Sequence, residues 1–301
     1  WGEWVSCKSD LNLAYRYEER FWKQKARIQW LREGDHNSKF FHAQVKQRRV
    51  TNSLDSILKP DGSLCLNVQD TLFELLFHQI FKSSNPLDQF CNLQNFFMPM
   101  LSKEGLLIEK ETETALFDMS QDKSPGADGF TALFFQNAWP VIKYHVCLAV
   151  YNFFSCGKMP KGLNHTVITL IPQKKNPTKV ADYRPISLCS VVYKIFAKVI
   201  ANRLKPVLSS CISVAQSTFV LGRQILDNVI ISNECIHYLN SERKGKNFYM
   251  ALKLDMAKAY DRVEWSFIAR ICRQMGFCDV FVSWILACVC STSYSFNVNG
   301  A

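Results

Sequence analysis

The segment Lys253-Leu254-Asp255-Met256-Ala257-Lys258-Ala259-Tyr260-Asp261 decides how the rest of this chain is interpreted. Apolar residues alternate with others from Phe248 onward, which predicts a β-strand over 248–255 with Asp255 at its carboxyl end. Asp261-Arg262-Val263-Glu264 then has the pattern of a capping box, which predicts that Asp261 is the N-cap of a helix. The segment therefore predicts a strand that ends on a carboxylate and leads directly into a helix.

Taken alone, Asp255 has two interpretations. An Asp at a strand end is often a turn former or a surface charge, and this structural role is the simpler one. The other role is that of a metal ligand in a two-metal site, which needs further carboxylates beside it. The sequence contains no Asp-Asp pair. The 301 residues are therefore predicted to hold only one half of such a site.

The positive charge of the chain is concentrated in one region. The formal net charge is +10, and the stretch from Lys158 to Lys205 contains ten basic residues and a single acidic one, Asp182. A concentrated basic segment favours phosphate-rich partners such as nucleic acid or nucleotides. A solvated surface without a partner is the alternative that charge alone leaves open.

The cysteines and the hydropathy pattern exclude several classes of protein. None of the 12 cysteines forms a Cys-x-x-Cys motif, so a zinc site has little support. We expect reduced thiols in an intracellular protein of the cytoplasm or nucleus, since no signal peptide is recognisable. No apolar run reaches the roughly 18 residues that a membrane span requires. Because the sequence begins with Trp1 and ends at a turn signal, we expect both ends to be cut.

Helical and strand patterns are mixed without strict alternation, which predicts an α+β fold. Helices are predicted over Leu11–Leu31, about Lys39–Arg49, Asn67–Phe81, from Phe130 toward Trp139, from Pro140 to near Gly157, and around Val192–Val199. Strands are predicted over His165–Pro172 and Tyr294–Val298, the latter leading into the hairpin signal Asn299-Gly300. Turns are expected at Lys59–Gly62 and Ser124–Gly129, and an internal boundary is expected near Asn85–Pro99.

Several blocks of the chain, in order, resemble those of one enzyme family. Leu252–Asp261 resembles the first carboxylate motif of reverse transcriptases, particularly those of non-LTR (LINE-type) retrotransposons and group II introns. Four further blocks upstream are similar to the same family: Ser124-Pro125-Gly126-Ala127-Asp128-Gly129-Phe130, Ile171-Pro172-Gln173-Lys174-Lys175, Asp182–Leu188, and Ala215–Val220 with Gly222-Arg223 and Asp227-Asn228. The resemblance covers about Asp122 to Ala301. The region around Trp30–Asp35 and Lys39–His42 resembles the linker that precedes the reverse transcriptase in plant LINE polyproteins.

The resemblance implies roles for residues around Asp255. Asp255 would coordinate the catalytic Mg²⁺ ions, and the carbonyl group of Met256 could help to hold one of them. Tyr260 matches the aromatic steric gate that excludes a ribose 2′-hydroxyl, although ordinary core packing is its alternative role. Asp261 keeps the structural interpretation of a helix N-cap.

The resemblance also implies a nucleotide-binding and a template-binding set. Arg184 and either Lys174 or Lys175 would bind the triphosphate of the incoming nucleotide, since a planar guanidinium meets phosphate oxygens in pairs. Gln216 and Arg223 would line the template path. Asp128 and Asp182 are expected to be turn and cap residues.

The resemblance implies an incomplete right-hand polymerase with fingers and a partial palm. Residues 1–110 would form a helical linker region, and residues 111–301 a partial reverse transcriptase domain. The parent protein would be an RNA-directed DNA polymerase that uses Mg²⁺, an RNA template, a DNA primer or target, and deoxynucleoside triphosphates (dNTPs). We expect the chain alone to be inactive, because one carboxylate cannot hold two Mg²⁺ ions about 4 Å apart. A non-catalytic nucleic-acid-binding remnant is the alternative function, and a poorly folded product with Phe296 and Val298 on an unpaired edge strand is a third possibility.

Overall fold

The computed structural model describes residues 10, 11, 13–19, 21, 22, 25, 38–54, 56–59, 63–65, 105–241, 250–256 and 259–298. Within these residues, the chain forms helices, a three-stranded sheet and a second sheet of two strands. The predicted mixture of helices and strands, an α+β fold, is confirmed.

The amino-terminal part contains a helix and a short hairpin. Residues 10, 11, 13–19, 21, 22 and 25 are helical, and helix α1 (Ser38–Thr51) confirms the helix predicted over 39–49. Strands β1 (Ile57–Leu58) and β2 (Leu64–Cys65) pair antiparallel on either side of the predicted turn, of which residues 60–62 lie outside the described residues. The helix predicted over 67–81 and the boundary predicted over 85–99 also lie outside them.

The turn predicted at Ser124–Gly129 is confirmed. It follows helix α2 (Gly105–Phe117) and is closed by a hydrogen bond of 3.2 Å from the Gly129 N–H to the Gly126 carbonyl oxygen. The Asp128 carboxylate accepts a hydrogen bond from the Phe130 N–H at 3.2 Å, the local bond expected of an Asp in a turn. Helix α3 (Ala132–Asn137) then begins behind the side-chain cap of Thr131.

Helix α4 (Trp139–Cys156) has the boundaries that its terminal residues predict. Pro140 occupies the first turn, where a missing N–H costs nothing because that group would have no partner within the helix. Gly157 ends the helix in the left-handed conformation with φ 67°, and its N–H bonds the Phe153 carbonyl oxygen at 2.8 Å. A residue without Cβ is favoured in that conformation.

The main sheet has the strand order β4-β3-β5, with β3 (His165–Pro172) in the centre. Strand β4 (Tyr183–Leu188) pairs antiparallel with β3, and β5 (Ser293–Asn297) pairs parallel with it on the other side. The strand predicted over His165–Pro172 is confirmed with the same bounds. Thr166, Ile168 and Leu170 are buried and alternate with more accessible residues, which is the side-chain period of a strand.

Strand β5 confirms the strand predicted over 294–298. One of its edges pairs with β3, where Phe296 lies opposite Ile168 in the parallel ladder, and β5 is the last strand on that side of the described sheet. The side chains of Phe296 and Val298 pack, partly buried, against a small apolar core. The expectation of an unpaired edge stays a prediction for the outer edge of β5. Asn299 and Gly300 lie outside the described residues.

The larger core lies among helices α2, α4, α5 (Val191–Cys211), α7 (Trp265–Gln274) and α8 (Asp279–Cys290). Helix α6 (Ile225–Ser241), between α5 and α7 in the chain, has no buried residues. Helix α5 carries the apolar stripe that predicted it, and Val191, Ile195, Phe196, Val199 and Ile200 are buried. The rings of Phe153 and Phe196 stack with centroids 5.0 Å apart.

Among the described helices, a search for candidate membrane spans finds none with the length and hydropathy required.

A second, smaller core joins the amino-terminal hairpin to the main sheet. Leu54 and Ile57 are buried together with Ile168, Leu170, Val180 and Tyr183. The Leu58 N–H also bonds the Thr178 carbonyl oxygen at 2.9 Å. Packing therefore crosses the division at residue 110 that we expected, since Leu54 and Ile57 pack against residues of the sheet.

Two local predictions around Asp255 are wrong. Residues 250–256 have no regular secondary structure, so the predicted strand is absent from 250–255, while 248 and 249 lie outside the described residues. Asp261 is not the N-cap of helix α7. It lies within a 3₁₀ turn (Ala259–Arg262), and the N-cap position of α7 is occupied by Glu264.

Candidate active site

The β3–β4 hairpin carries the predicted nucleotide-binding residues. Arg184 on β4 lies opposite Ile171 on β3 in the antiparallel register, and Lys174 and Lys175 follow the end of β3 in the connecting loop. All three basic side chains are exposed. The three predicted basic residues therefore lie together at the loop end of the β3–β4 hairpin, where they are exposed.

Asp182 organises the loop of this hairpin. Its carboxylate forms an ion pair with the Lys174 ammonium group at 2.9 Å and accepts hydrogen bonds from the N–H groups of Thr178 and Lys179, each at 2.9 Å. The hydrogen bond from Lys174, followed by those from Lys179 and Thr178, lowers the pKa of the Asp182 carboxyl to about 2. The cap role expected for Asp182 agrees with these contacts.

The ion pair with Asp182 distinguishes the two candidate lysines. The ammonium group of Lys174 is already bound to a carboxylate. Within the described part of the chain, Lys175 and Arg184 have no ion-pair or hydrogen-bond partner for their side chains. Of the three predicted nucleotide-binding residues, Lys175 and Arg184 are thus the two whose charged groups are not engaged within the described residues.

The turn at residues 124–129 packs directly against the start of helix α5. A Cβ atom on Gly126 would lie 2.5 Å from the backbone nitrogen of Ser190 and 2.6 Å from the carbonyl carbon of Cys189. The Ser190 hydroxyl accepts from the Tyr193 N–H at 3.2 Å and donates to the Leu163 carbonyl oxygen at 3.0 Å. Gly126 therefore allows the turn to approach the residues that follow β4.

Asp255 and Met256 lie in an irregular, exposed segment. The Asp255 carboxylate has no partner among the described residues. The same part of the chain contains no group of three or more His, Cys, Asp or Glu side chains that could hold a metal ion. Asp255 alone can supply one carboxylate, and Mg²⁺ commonly binds to one or two carboxylates together with substrate phosphates and water.

Tyr260 contacts one aromatic side chain from another sequence block. Its ring lies 6.2 Å from that of Phe219, centroid to centroid, at an interplanar angle of 82°. Tyr260 is 76% exposed. The alternative role of core packing therefore does not fit its position in the described residues. No feature of the sequence pairs Phe219 with Tyr260, so the motifs do not predict this contact.

Gln216 and Arg223 belong to one exposed loop. The Gln216 side-chain amide donates to the Thr218 carbonyl oxygen at 3.3 Å. The Arg223 guanidinium donates to four backbone carbonyl groups, those of Ser209, Ile212, Ser213 and Gln216. These bonds hold the loop together, so the structure gives Arg223 a positioning contact that was not predicted.

A partly buried ion pair joins helices α2 and α5, and the sequence did not indicate it. The Arg203 guanidinium binds the Glu111 carboxylate with both Nε and Nη2, with bonds of 2.7–3.2 Å. The guanidinium also lies 4.5 Å from the centre of the Phe154 ring and 5.6 Å from that of Trp284. One of the ten basic residues in 158–205 is thus structural rather than available to a partner.

A surface groove of about 490 Å³ lies between α2 and α4, lined by Ile108, Glu109, Pro140, Val141, Lys143, Tyr144, Cys147, Leu148 and Tyr151. None of the predicted site residues lines it. Its charged groups, Lys143 and Glu109, form an ion pair with each other at 2.6 Å. The groove therefore adds no residue to the candidate site.

The fold and the order of the site residues agree with one class of protein. Residues 171–300 match the family model described as reverse transcriptase (RNA-dependent DNA polymerase). This match includes the β3–β4 hairpin from Ile171 onward, the loop that contains Arg223, and the segment around Asp255. The mixed helices and small sheet fit the α+β fold of these polymerases.

Three proteins of transposable elements are similar to the chain. It is 30% identical to the transposon TX1 uncharacterized 149 kDa protein of Xenopus laevis, over 99% of this chain and 23% of the relative. It is 26% identical to the putative 115 kDa protein in the type-1 retrotransposable element R1DM of Drosophila melanogaster, over 68% of the chain and 21% of the relative. It is 25% identical to the retrovirus-related Pol polyprotein from the type-1 retrotransposable element R2 of Nasonia vitripennis, over 57% of the chain and 15% of the relative.

These similarities support a reverse transcriptase domain like those of non-LTR retrotransposons. The chain spans less than a quarter of the length of each of these relatives.

Proposed function

We propose that this chain carries the fingers and the first part of the palm of an RNA-directed DNA polymerase from a non-LTR retrotransposon. The observation that carries the proposal is that one family match, over residues 171–300, contains both the exposed hairpin with Lys175 and Arg184 and the exposed carboxylate of Asp255. Residues 111–301 would form the partial polymerase domain, and residues 1–110 the linker region before it. A plant element is the proposed source, from the resemblance of the linker.

The β3–β4 hairpin would bind the triphosphate of an incoming dNTP. Arg184 offers a planar fork of donors that meets two phosphate oxygens at once, and Lys175 offers a compact charge beside it. Asp182 would keep Lys174 out of this contact by its ion pair. Lys174 then acts by shaping the loop, and Lys175 acts on the nucleotide.

Asp255 would supply a carboxylate that binds Mg²⁺ next to the reacting phosphate. The exposed carboxylate has no competing partner among the described residues, and the Met256 carbonyl is a second oxygen nearby in the chain. When bound, Mg²⁺ neutralises the charge that develops on the phosphate and assists the attacking primer hydroxyl.

Tyr260 would lie against the sugar of the nucleotide and exclude a 2′-hydroxyl. Its ring is exposed and is approached by Phe219. Gln216 and Arg223 would line the path of the RNA template, and Arg223 would do so mainly by holding the loop in shape.

An isolated polypeptide of residues 1–301 would bind substrates without joining them. A single carboxylate cannot hold two metal ions about 4 Å apart in working geometry. A primer-extension assay on purified 1–301 with Mg²⁺ measures this directly. Extension that disappears in Asp255→Asn would contradict the prediction of inactivity.

The alternative function is a nucleic-acid-binding remnant without chemistry. The observation that favours it is the exposed set Lys158, Lys161, Lys175 and Arg184, which has no ion-pair partner within the described residues. Such binding would fall steeply with salt, because each neutralised phosphate releases counterions.

Ternary-complex formation separates the two functions. The chain is mixed with an RNA template annealed to a DNA primer with a blocked 3′ end, and the dissociation rate is measured with each of the four dNTPs and Mg²⁺. The proposed function predicts slower dissociation with the templated dNTP than with the other three, and loss of this difference in Asp255→Asn. Equal dissociation rates with all four dNTPs, with tight salt-sensitive binding, would support the remnant instead.

A further inference from the structure

The loop from Ser213 to Gln224, here called the 213–224 loop, is held in one conformation by Arg223. The guanidinium donates to the carbonyl oxygens of Gln216 at 2.6 Å, Ile212 at 3.0 Å and Ser209 at 3.2 Å, and to that of Ser213. Hydrogen bonds from a charged donor are among the stronger ones in proteins. The loop is therefore exposed but fixed.

Phe219 is the unusual residue of this loop. Its φ is 65°, in the left-handed region that bulky residues rarely occupy. Its side chain is 78% exposed, although Ser217 and Val220 on either side are buried. Because the Phe219 ring is exposed, its burial contributes little that could offset the strain of its backbone. Strain of this kind concentrates at functional positions.

The ring of Phe219 meets Tyr260 edge to face. The centroid distance of 6.2 Å and the angle of 82° lie within the range that favours aromatic pairs. Among the described residues, Phe219 provides the aromatic contact of Tyr260. An exposed Tyr ring can otherwise rotate about two side-chain bonds, so this contact restricts where the ring lies.

We propose that Phe219 is a positioning residue for Tyr260 and that the 213–224 loop thereby sets the sugar selectivity of the site. The ligand class is a nucleoside triphosphate, and the distinguished group is its 2′-hydroxyl. The inference rests on the proposed function, because it assigns the sugar-facing role to Tyr260. A gate excludes one hydroxyl group only if its ring is fixed, and Phe219 provides that restraint.

Two measurements on the full 301-residue chain test the proposal. The first is the ratio of dissociation constants for ATP and dATP with Mg²⁺ and a blocked template–primer, by equilibrium dialysis. The second is the ¹⁹F NMR signal of 3-fluorotyrosine placed at position 260, which needs no nucleotide. The variants are Phe219→Ala, the conservative Phe219→Tyr, and Leu221→Ala as a matched control on the same loop, where the side chain is 71% exposed.

We expect Phe219→Ala to lower the ratio of the dissociation constant of ATP to that of dATP about three- to tenfold, which corresponds to the free energy of one aromatic pair. Its ¹⁹F signal should narrow and move toward that of an unrestrained tyrosine. Phe219→Tyr should restore both values, because it keeps the ring, and Leu221→Ala should change neither. Thermal unfolding should be unaffected, since the Phe219 ring is exposed.

Three results would overturn the inference, and they differ in what they imply. An unchanged ¹⁹F signal in Phe219→Ala would mean that the ring restrains nothing. A changed signal with an unchanged ratio would mean that the contact does not serve sugar selection. If the unaltered chain binds neither ATP nor dATP, the proposed function fails and the selectivity role fails with it, while the ¹⁹F signal still reports on the pair.

Discussion

Gly126 and Ser190 come so close that a side chain cannot fit between them. A Cβ atom on Gly126 would lie 2.5 Å from the Ser190 backbone nitrogen, and Ser190 caps helix α5. Two sequence blocks separated by more than 60 residues are thereby joined at backbone level. The turn at 124–129 thus helps to place the end of β4, the strand that carries Arg184.

The first prediction concerns this contact. Gly126→Ala should lower the free energy of unfolding by about 1–3 kcal/mol, because backbone atoms must move to admit the methyl group. Thermal or urea unfolding measures the change. Gly129→Asn is the matched control: Gly129 has φ 74° with open space around it, and Asn tolerates that conformation. Equal stability of Gly126→Ala and the unaltered chain would contradict the close approach.

The second prediction concerns the pair formed by Arg203 and Glu111. Their side chains are 9% and 22% exposed, so Glu111→Gln leaves a largely buried guanidinium without its charge partner. We expect a loss of up to about 3 kcal/mol in unfolding free energy. Glu109→Gln on the same helix removes an exposed pair with Lys143 and should have a much smaller effect. A larger effect from Glu109→Gln would show that burial does not govern these pairs.

The third prediction concerns pH and the hairpin loop. The pKa of Asp182 is lowered from 3.8 to about 2, so the native state favours the ionised carboxylate. The resulting stabilisation is fully present above pH 3.8 and is lost as the pH falls through about 2. Thermal unfolding between pH 5 and pH 2 should therefore show a flatter pH dependence in Asp182→Asn than in the unaltered chain. Identical slopes would contradict the assigned contacts.

The fourth prediction separates the two lysines of the hairpin. Lys175→Ala should weaken dNTP binding about tenfold, as expected for loss of one charged contact to phosphate. Lys174→Ala should weaken binding less, because Lys174 is held by Asp182. Dissociation constants for dATP with Mg²⁺ and template–primer give the comparison. The reverse order of effects would assign the phosphate contact to Lys174.

Local features were predictable where one short segment specifies its own structure. Pro140 and Gly157 predicted both ends of α4, and alternation predicted β3 over 165–172. The strand predicted over 250–255 failed because alternation specifies a strand only beside a partner strand. In the described residues no strand pairs with this segment, and Met250, Leu252 and Leu254 are exposed.

Contacts between distant residues were not predictable from one sequence. Arg203 binds Glu111 across 92 residues, and Phe219 meets Tyr260 from another block. Ile57, which we placed in a linker, is buried against the sheet. Composition and periodicity indicate that such residues are apolar or charged, but they do not specify partners. The site residues themselves came from the resemblance to a family rather than from any spacing.

The parallel pairing of β3 with β5 has a consequence for the order of events on the ribosome. His165 and Ser293 are neighbours in the sheet but are 128 residues apart in the chain. At about 5–20 residues per second, the ribosome needs about 6–26 s to make the intervening chain. The β3–β4 hairpin can form early, whereas the other edge of β3 waits for β5. During that interval the nascent chain exposes an unpaired strand edge, the kind of surface that chaperones protect from aggregation.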